Sequence, residues 1–203
     1  MPPDEVPTPP GPVGLRERKK ARTRAAIQHE ALRLFRRQGY EATTVEQIAA
    51  AVEVSPSTFF RYFPTKEDVI LSDGYDPLLF EVFRSQPADL APVEALRRTV
   101  RAVFAAISED ELGDMRQRME LAFAVPDLRA AALDQLARTI RQVTELLAER
   151  LGRPQEDFAL RTLAGAVLGV MLAAELHWAE FPGTDVVALM DEALAHLQAG
   201  FPL

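Results

Sequence analysis

Apolar residues recur with a helical period along almost the whole chain, and no stretch alternates apolar and polar positions as a strand does. Val45, Ile48, Ala49 and Val52, for example, are spaced i, i+3, i+4 and i+7 and form one apolar face. Prolines divide the periodic segments, because proline disfavours helix for the residue before it. The pattern predicts an all-α fold with helices near 45–52, 56–62, 66–84, 92–107, 110–124, 127–151, 155–179 and 185–199.

Two short helices joined by a tight turn are predicted between residues 43 and 68. Thr44 is a helix N-cap, and Gln47 three residues later completes a capping box. Ser55 is a second N-cap, and Pro56 follows it at the first helical position, where a missing N–H costs nothing. This spacing is typical of a helix-turn-helix that reads DNA. A generic helical hairpin has the same caps and apolar spacing and is the alternative interpretation.

The second of these helices has the composition expected of a recognition helix. Ser57 and Thr58 are small hydroxylated residues at its start, where they allow the backbone to approach the major groove. Phe59 and Phe63 are spaced i, i+4 and are expected to anchor the helix to the core. Tyr62 lies on another face and is our candidate for a phosphate contact.

A basic segment precedes this region. Leu15 to Arg24 holds six basic residues and one acidic residue, and it leads into a helix that Gly39 is expected to end in a left-handed conformation. Residues 15–70 hold eleven lysines and arginines against seven acids, whereas residues 71–203 hold twelve against twenty-one. A charge run is often only a solvated helix face. Its position directly before the helix-turn-helix instead favours contact with phosphates. One apolar face of this helix is expected from Ile27, Ala31, Leu34 and Phe35.

Four motifs resemble the TetR family of one-component transcriptional repressors. They are KARTRAAI from Lys20 to Ile27, A-x-x-L-F-x-x-x-G-Y from Ala31 to Tyr40, T-T-V-x-x-I-A from Thr43 to Ala49, and V-S-x-x-T-F-F-R-Y-F-x-x-K-E-D from Val54 to Asp68. The resemblance covers about 55 contiguous residues. It implies a three-helix DNA-binding domain over 15–65 and an effector-binding and dimerisation domain over 66–203.

The resemblance also implies roles for individual residues. Thr44 and Lys66 would hold phosphates, while Ser57, Thr58 and Tyr62 would contact bases or the backbone of an operator. Tyrosine or leucine is frequent at position 59 in the family, and Phe59 has no hydroxyl to offer there. With the basic segment included, the residues expected to bind DNA are Arg16, Lys19, Lys20, Arg22, Thr44, Ser55, Ser57, Thr58, Arg61, Tyr62 and Lys66.

Two C-terminal helices, near 155–179 and 185–199, resemble the family's dimerisation pair. The first, from Phe158 to Trp178, is apolar nearly all round, and Gly165 and Gly169 lie four residues apart where another backbone would approach closely. The alternative is an ordinary core helix in a monomer. DNA binding favours the dimer, since two recognition helices one turn apart read a palindrome. The predicted interface residues are Gly165, Gly169, Leu172, Leu176, Val187 and Leu194.

The resemblance further implies an effector pocket enclosed by residues 92–151. Segments 69–81 and 115–127 faintly resemble regulators that respond to acyl-coenzyme A thioesters. A stripe of methionine and aromatic residues at helical spacing is, however, also typical of plain core. The residues expected to bind the ligand are Phe104, Ile107, Met115, Arg116, Met119, Phe123, Leu136, His177 and Trp178.

The composition of the chain limits the kinds of site it can hold and the places in the cell where it is expected. The chain has no cysteine, so it has no disulfide and no thiolate metal site. Its longest apolar run, Leu163 to Ala174, is shorter than the roughly 18 residues of a membrane span. Residues 1–14 are proline-rich and lack the pattern of a signal peptide, so we expect a disordered tail and a cytoplasmic protein.

An enzyme is the first rival class, and nothing in the sequence favours it. None of the three histidines has metal-ligand spacing, and no glycine-rich phosphate loop follows a strand. We therefore expect no catalytic site, no cofactor and no metal. An all-helical protein-interaction module is the second rival. It would keep the C-terminal helices but would not need the basic segment.

Overall fold

The computed structural model describes residues 15–72 and 75–201. Within these residues the chain is helix and connecting loop, with no strand. This confirms the predicted all-α class. The helices are α1 (Leu15–Gln38), α2 (Val45–Ala51), α3 (Pro56–Tyr62), α4 (Asp68–Leu71), α5 (Asp76–Ser85), α6 (Pro92–Phe104), α7 (Glu109–Ala124), α8 (Pro126–Leu151), α9 (Phe158–Glu180) and α10 (Val186–Ala199). The expected disordered tail over 1–14 lies outside the described residues.

Most predicted helix bounds agree with the structure to within about three residues, and the prediction of one helix is wrong. The segment predicted as a single helix over 66–84 is two helices, α4 and α5. Pro77 lies in the first turn of α5. There its missing N–H leaves no intrahelical bond unmade, whereas inside a continuous helix it would break one.

The unit that runs up to Val69 is built around α1, α2 and α3. The predicted apolar face of α1 is confirmed, because Ile27, Ala31, Leu34 and Phe35 are all buried. Gly39 ends α1 with a φ of +87°, as predicted, and its N–H donates to the Phe35 carbonyl. Gln28 on α1 donates through Nε2 to the Val69 carbonyl at 3.2 Å, which attaches α4 to the same core.

The unit that begins at Ile70 packs α9 between α8 and α10, with α6 on α10 and α5 on α6. One of its core clusters centres on Phe104, Trp178, Met190 and Leu194. A second cluster joins Phe83, on α5, to the apolar side of α8. The helices of this unit therefore form a bundle whose interior is filled largely by leucine, valine and aromatic side chains.

A bidentate ion pair joins α6 to α10. Arg97 donates through Nε and Nη2 to the two carboxylate oxygens of Asp191, at 3.0 and 2.9 Å. The hydrogen bond from Arg97 is the main cause that holds the pKa of Asp191 below its usual range. The matching of a planar guanidinium to a carboxylate gives this contact a defined geometry, and it sets the relative position of the two helices.

Helix α9 is long and apolar enough to cross a membrane, judged by length and composition alone. The apolar run of twelve residues did not indicate this, because scattered polar residues do not prevent a 23-residue helix from reaching such a composition. Only 22% of its most apolar 18-residue stretch is buried within the chain. The core helix of a soluble protein passes the same test.

Candidate functional site

The start of α2 is held by a network of side-chain hydrogen bonds. The Thr44 hydroxyl accepts from the Gln47 N–H at 3.3 Å, and Gln47 Oε1 accepts from the Thr44 N–H at 3.0 Å, which confirms the predicted capping box. Gln38, near the end of α1, donates to Gln47 Oε1 at 2.8 Å and to the Thr43 hydroxyl at 3.2 Å. The exposed Thr44 is thereby fixed relative to α1.

The turn between α2 and α3 contains a residue in the left-handed region. Glu53 has a φ of +56°, which L-residues with a side chain adopt at a cost. Its N–H donates to the Ala50 carbonyl, and the Val54 N–H donates to the Ala49 carbonyl. These bonds satisfy the last carbonyls of α2 and turn the chain sharply into α3.

We expect Glu53→Gly to stabilise the protein by about 0.5–1 kcal/mol, because glycine adopts a positive φ without the steric cost and this gain exceeds its larger entropy when unfolded. Urea unfolding measures the change in the free energy of unfolding. Glu53→Gln is the matched control, since it removes the same charge but keeps the backbone strain. Equal stabilisation by both variants would assign the effect to charge and contradict the backbone explanation.

Three hydroxyl groups cluster at the start of α3. Ser55 caps the helix, and its Oγ accepts from the Thr58 N–H at 3.1 Å, as predicted. Ser55 Oγ also lies 2.8 Å from Ser57 Oγ and donates to Thr58 Oγ1 at 3.0 Å. Ser55 and Ser57 are exposed and Thr58 is half-buried. The start of α3 therefore presents small polar groups to solvent.

The rest of α3 is held in place by its buried side. Phe59 and Phe63 are fully buried, which confirms them as the anchors. The Arg24 guanidinium lies 4.3 Å from the Phe63 ring centre, and its Nη1 donates to the Tyr62 carbonyl at 3.1 Å. Arg61 is exposed and lies over the half-buried Tyr62 ring. The helix is thus held by its apolar side and by α1, with Arg61 and Tyr62 toward its end.

Lys66 has a role that sequence reasoning missed. Its ammonium donates to the carbonyls of Tyr40 and Thr43, at 3.0 and 3.2 Å, and lies 3.9 Å from the centre of the Tyr40 ring. An ammonium has three N–H donors, so one remains for a phosphate. Lys66 therefore fastens the turn that precedes α2, in addition to any contact it makes with DNA.

Glu67 completes this connection. The Tyr40 hydroxyl donates to Glu67 Oε1 at 2.6 Å. Burial raises the pKa of Glu67, but hydrogen bonds from Tyr40, the backbone and Thr65, with the charge of Lys66, outweigh burial and hold that pKa below its ordinary value. The carboxylate is therefore charged at neutral pH. The only sign of this Tyr40–Glu67 contact in the sequence was the Gly39-Tyr40 pair, which ends the second family motif.

The basic segment lies on α1. Lys19, Lys20 and Arg22 are exposed, and the side chain of Arg16 lies outside the described residues. With Thr44 at the start of α2 and the hydroxyl cluster of α3, the unit up to Val69 offers cations and hydroxyl groups from three elements. Such groups bind the oxygens of a polyanion and the edges of bases. For each of these residues, contact with DNA stays a prediction.

The C-terminal unit has a largely apolar cavity, which residues 92–151 line in part. It has a volume of about 100 Å³ and is enclosed by α5, α6, α8, α9 and α10. None of the nine residues predicted to bind a ligand lines it. The lining includes Leu79, Phe80, Phe83, Leu96, Thr99, Val143, Val167 and Met171. Sequence reasoning missed this set because α5 was not separated from α4 and the apolar face of α9 was assigned to the dimer.

The nine predicted ligand residues have other positions. Phe104, Met115 and Trp178 are buried in the core, and the Arg116 guanidinium lies 4.4 Å from the Trp178 ring centre. Phe123 and His177 are exposed, and the rings of His177 and Phe181 lie 4.5 Å apart. The remaining three, Ile107, Met119 and Leu136, are half-buried. Of this stripe, Phe104, Met115 and Trp178 therefore belong to the core, and ligand binding by the other residues stays a prediction.

The predicted dimer residues fall into two groups. Gly165 and Leu172 are half-buried, Gly169 is exposed, and a side-chain carbon built at either glycine meets no atom within 4 Å. The glycines therefore accommodate no neighbour within the chain. The prediction of Leu194 as an interface residue is corrected, because Leu194 is 1% exposed and packs in the core with Met190. It is therefore not available to a partner. Val187 is half-buried against the same core, and Leu176 is half-buried on α9.

Three helices with a capped turn, buried aromatic anchors and an exposed polar start of α3, followed by a separate helical unit, define a helix-turn-helix regulator of transcription. Residues 27–72 match the family profile described as bacterial regulatory proteins, tetR family. Residues 90–202 match the profile described as the MftR C-terminal domain. The chain belongs to the TetR family.

Individual relatives agree with this assignment. The chain is 36% identical over 190 residues to the transcriptional regulator TcmR of Streptomyces glaucescens, covering 90% of this chain and 84% of TcmR. It is 27% identical to a Mycobacterium tuberculosis protein named as the mycofactocin biosynthesis regulator MftR, covering 90% and 93% of the two chains. Among solved structures, Thermus thermophilus FadR, in complex with lauroyl-CoA, is 32% identical with a TM-score of 0.53, covering 89% of this chain and 95% of FadR. These relatives are regulators of transcription, and no catalytic family is indicated.

Proposed function

We propose that the protein is a cytoplasmic homodimeric repressor that binds a palindromic operator through residues 15–65. The observation that carries this proposal is the arrangement of α3. Its hydroxyl-bearing start is open to solvent, while Phe59 and Phe63 fix its opposite side in the core. A helix held in this way can enter the major groove without losing its own packing.

The proposed DNA contacts divide by element. The exposed cations of α1 and the Lys66 ammonium, through its third N–H, bind and neutralise phosphates. Thr44 and Tyr62 bind the sugar-phosphate backbone and fix the position of the protein along the duplex. Ser57, Thr58 and Arg61 read or approach base edges, because they lie along α3 away from its buried anchors. The dimer supplies a second copy of each contact at the other half-site.

We further propose that a small, largely apolar effector, such as an acyl-coenzyme A or a similar molecule, releases the operator. The cavity between α5, α6, α8, α9 and α10 is lined mostly by apolar side chains, with Asp76, Thr99 and Thr139 as the polar members. Thermus thermophilus FadR carries lauroyl-CoA, which supports an apolar chain as the buried part of the ligand. A volume of about 100 Å³ is below the roughly 300 Å³ of ordinary ligand pockets, so the cavity must widen when the effector enters.

Release follows from a shift between two states. An effector that binds better to the widened C-terminal unit favours the conformation in which that unit is widened. If the two DNA-binding heads of that conformation are not one helical turn apart, the bound effector lowers operator affinity by the same factor by which the bound operator lowers effector affinity.

The rival proposal is an all-helical interaction module that does not bind DNA. DNA fragments selected by the purified protein from its own genome, labelled and titrated by fluorescence anisotropy, test both. We expect tight binding to a palindromic fragment and its reversal by acyl-coenzyme A of increasing chain length. Binding to a partner protein with no affinity for duplex DNA would support the interaction module instead.

Thr58→Ala should weaken operator binding by roughly 1–3 kcal/mol per lost base contact and leave affinity for random DNA nearly unchanged, because base contacts carry sequence information and phosphate contacts do not. Competition anisotropy against both DNAs measures the change. Thr58→Ser is the matched control, since it keeps the hydroxyl. Equal losses on operator and random DNA would make Thr58 a contact to the sugar-phosphate backbone.

A further inference from the structure

The end of α3 depends on a hydrogen-bond donor from outside the helix. Helix α3 has seven residues, which is about two turns, and a helix this short is not stable on its own in water. Ser55 caps its start, and at its end the Phe63 N–H donates to the Phe59 carbonyl at 2.9 Å. Phe63 itself has extended backbone angles, so no N–H of a following helical turn reaches the Tyr62 carbonyl. Such a carbonyl is satisfied by water or by a side chain.

Arg24, on α1, supplies this donor. Its Nη1 donates to the Tyr62 carbonyl at 3.1 Å, across 38 positions of the sequence. The same guanidinium lies 4.3 Å from the centre of the Phe63 ring, and its Nε is buried. Phe63 is fully buried and anchors α3. One side chain of α1 therefore holds both the last carbonyl of α3 and the aromatic residue that follows it.

Arg24 differs in this respect from the other cations of the basic segment. Lys19, Lys20 and Arg22 are exposed, whereas Arg24 is half-buried. Residues two positions apart in an α-helix are separated by about 200° around its axis, so Arg22 and Arg24 lie on nearly opposite sides of α1. The sequence shows a single run of positive charge, but in the structure Arg24 leaves this run and contacts the end of α3.

The Arg24 contact joins two helices that have different tasks in the proposed DNA complex. The exposed cations of α1 would bind phosphates, which fix the position of a protein on the duplex, and α3 would read base edges. A hydrogen bond to a base needs its donor and acceptor within about 3.2 Å, so a small tilt of α3 relative to α1 would break it. Helix α2 packs against both α1 and α3, and Arg24 adds a direct link between them.

We propose that Arg24 is a positioning residue that sets the sequence specificity of α3 without touching DNA. It holds the end of α3 in a fixed orientation to the phosphate-binding side of α1. This inference rests on the proposed binding of an operator. It adds a residue that determines how well the operator is distinguished from other DNA.

Arg24→Met tests this role, because methionine keeps an apolar stem and removes every N–H donor of the side chain. Competition anisotropy measures affinity for operator and for random DNA at a temperature where circular dichroism shows the variant folded. We expect the ratio of the two affinities to fall by about 5- to 150-fold, the range that one lost base contact accounts for. Affinity for random DNA and its salt dependence should equal those of wild type. Arg24→Lys should recover most of the ratio, because an ammonium can donate to the same carbonyl and lie near the same ring.

Arg22→Met is the matched comparison, because Arg22 is an exposed cation two positions away on the same helix. It should weaken binding to both DNAs alike and flatten the salt dependence. The same behaviour in Arg24→Met would make Arg24 a phosphate ligand and overturn the inference. A folded Arg24→Met that is less stable in urea but has an unchanged affinity ratio would show a purely structural role and would also overturn it.

Two further outcomes are separated from these. If Arg24→Met does not fold, Arg24→Gln takes its place, since it keeps an N–H donor but loses the cation over the Phe63 ring. The affinity ratio should fall in this variant as well, and an unchanged ratio would overturn the inference. A wild-type protein that binds operator and random DNA equally would instead contradict the proposed function, before any variant is compared.

Discussion

Gly169→Leu is expected to weaken the dimer by about 5- to 150-fold, since overpacking a close contact costs about 1–3 kcal/mol. The fold of one chain should survive, because the space around Gly169 is empty within the chain. Operator affinity, measured at concentrations where the free protein is monomeric, should fall by the same factor. The reason is that the free energy of pairing the two heads contributes directly to binding both half-sites.

Sedimentation at micromolar concentration and operator anisotropy measure the two effects. Gly113→Leu is the matched control, because this glycine also lies within a helix, α7, with empty space around it but is not among the predicted dimer residues. We expect the control to remain dimeric and to bind the operator normally. A Gly169→Leu protein that dimerises as tightly as wild type would remove this glycine from the interface.

Lys66→Met and Arg22→Met should both flatten the dependence of log affinity on log salt by about one unit per subunit, because each removes a cation that neutralises a phosphate. Only Lys66→Met should also destabilise the protein, by about 1–3 kcal/mol, since the carbonyls of Tyr40 and Thr43 lose a charged donor. Arg22 is exposed and serves as the comparison.

Salt titration by anisotropy measures the slopes, and urea unfolding measures the stability. A variant whose slope equals that of wild type makes no phosphate contact. If Lys66→Met loses affinity and stability with an unchanged slope, Lys66 acts only by positioning the start of α2.

The helix-turn-helix was predictable because its signals are local. The caps at Thr44 and Ser55, the proline at the start of α3 and the spacing of Phe59 and Phe63 each act within a few residues. Local backbone preferences and side-chain packing agree here, so the bounds of α3 match the structure. The left-handed Glu53 could not be inferred, since glutamate gives no signal for a positive φ.

The partners of Lys66 depend on contacts between distant segments. The sequence predicted that its positive charge holds a phosphate, and that contact stays a prediction. The oxygens it binds in the structure belong to residues 23 and 26 positions earlier, and only the folded arrangement of α1 and α4 brings them within reach. Charge therefore predicted the chemistry of this side chain but not its partner.

The cavity was not predictable for a related reason. Apolar periodicity identifies the buried side of a helix but not the helix that covers it. Leu194 lies on the apolar stripe of α10, as expected, yet α6 and α9 cover it within the same chain. The cavity wall is likewise assembled from five helices.

Binding of duplex DNA as a function of salt tests the central claim most directly. A labelled fragment selected from the organism's own genome would be titrated with the wild-type protein between about 50 and 200 mM salt. A protein that makes six to ten phosphate contacts is predicted to lose about 10³–10⁵ in affinity over this range. It should also prefer the selected fragment over random DNA by at least about 10³. Affinity that does not change with salt, or that is equal for both DNAs, would contradict a sequence-specific regulator.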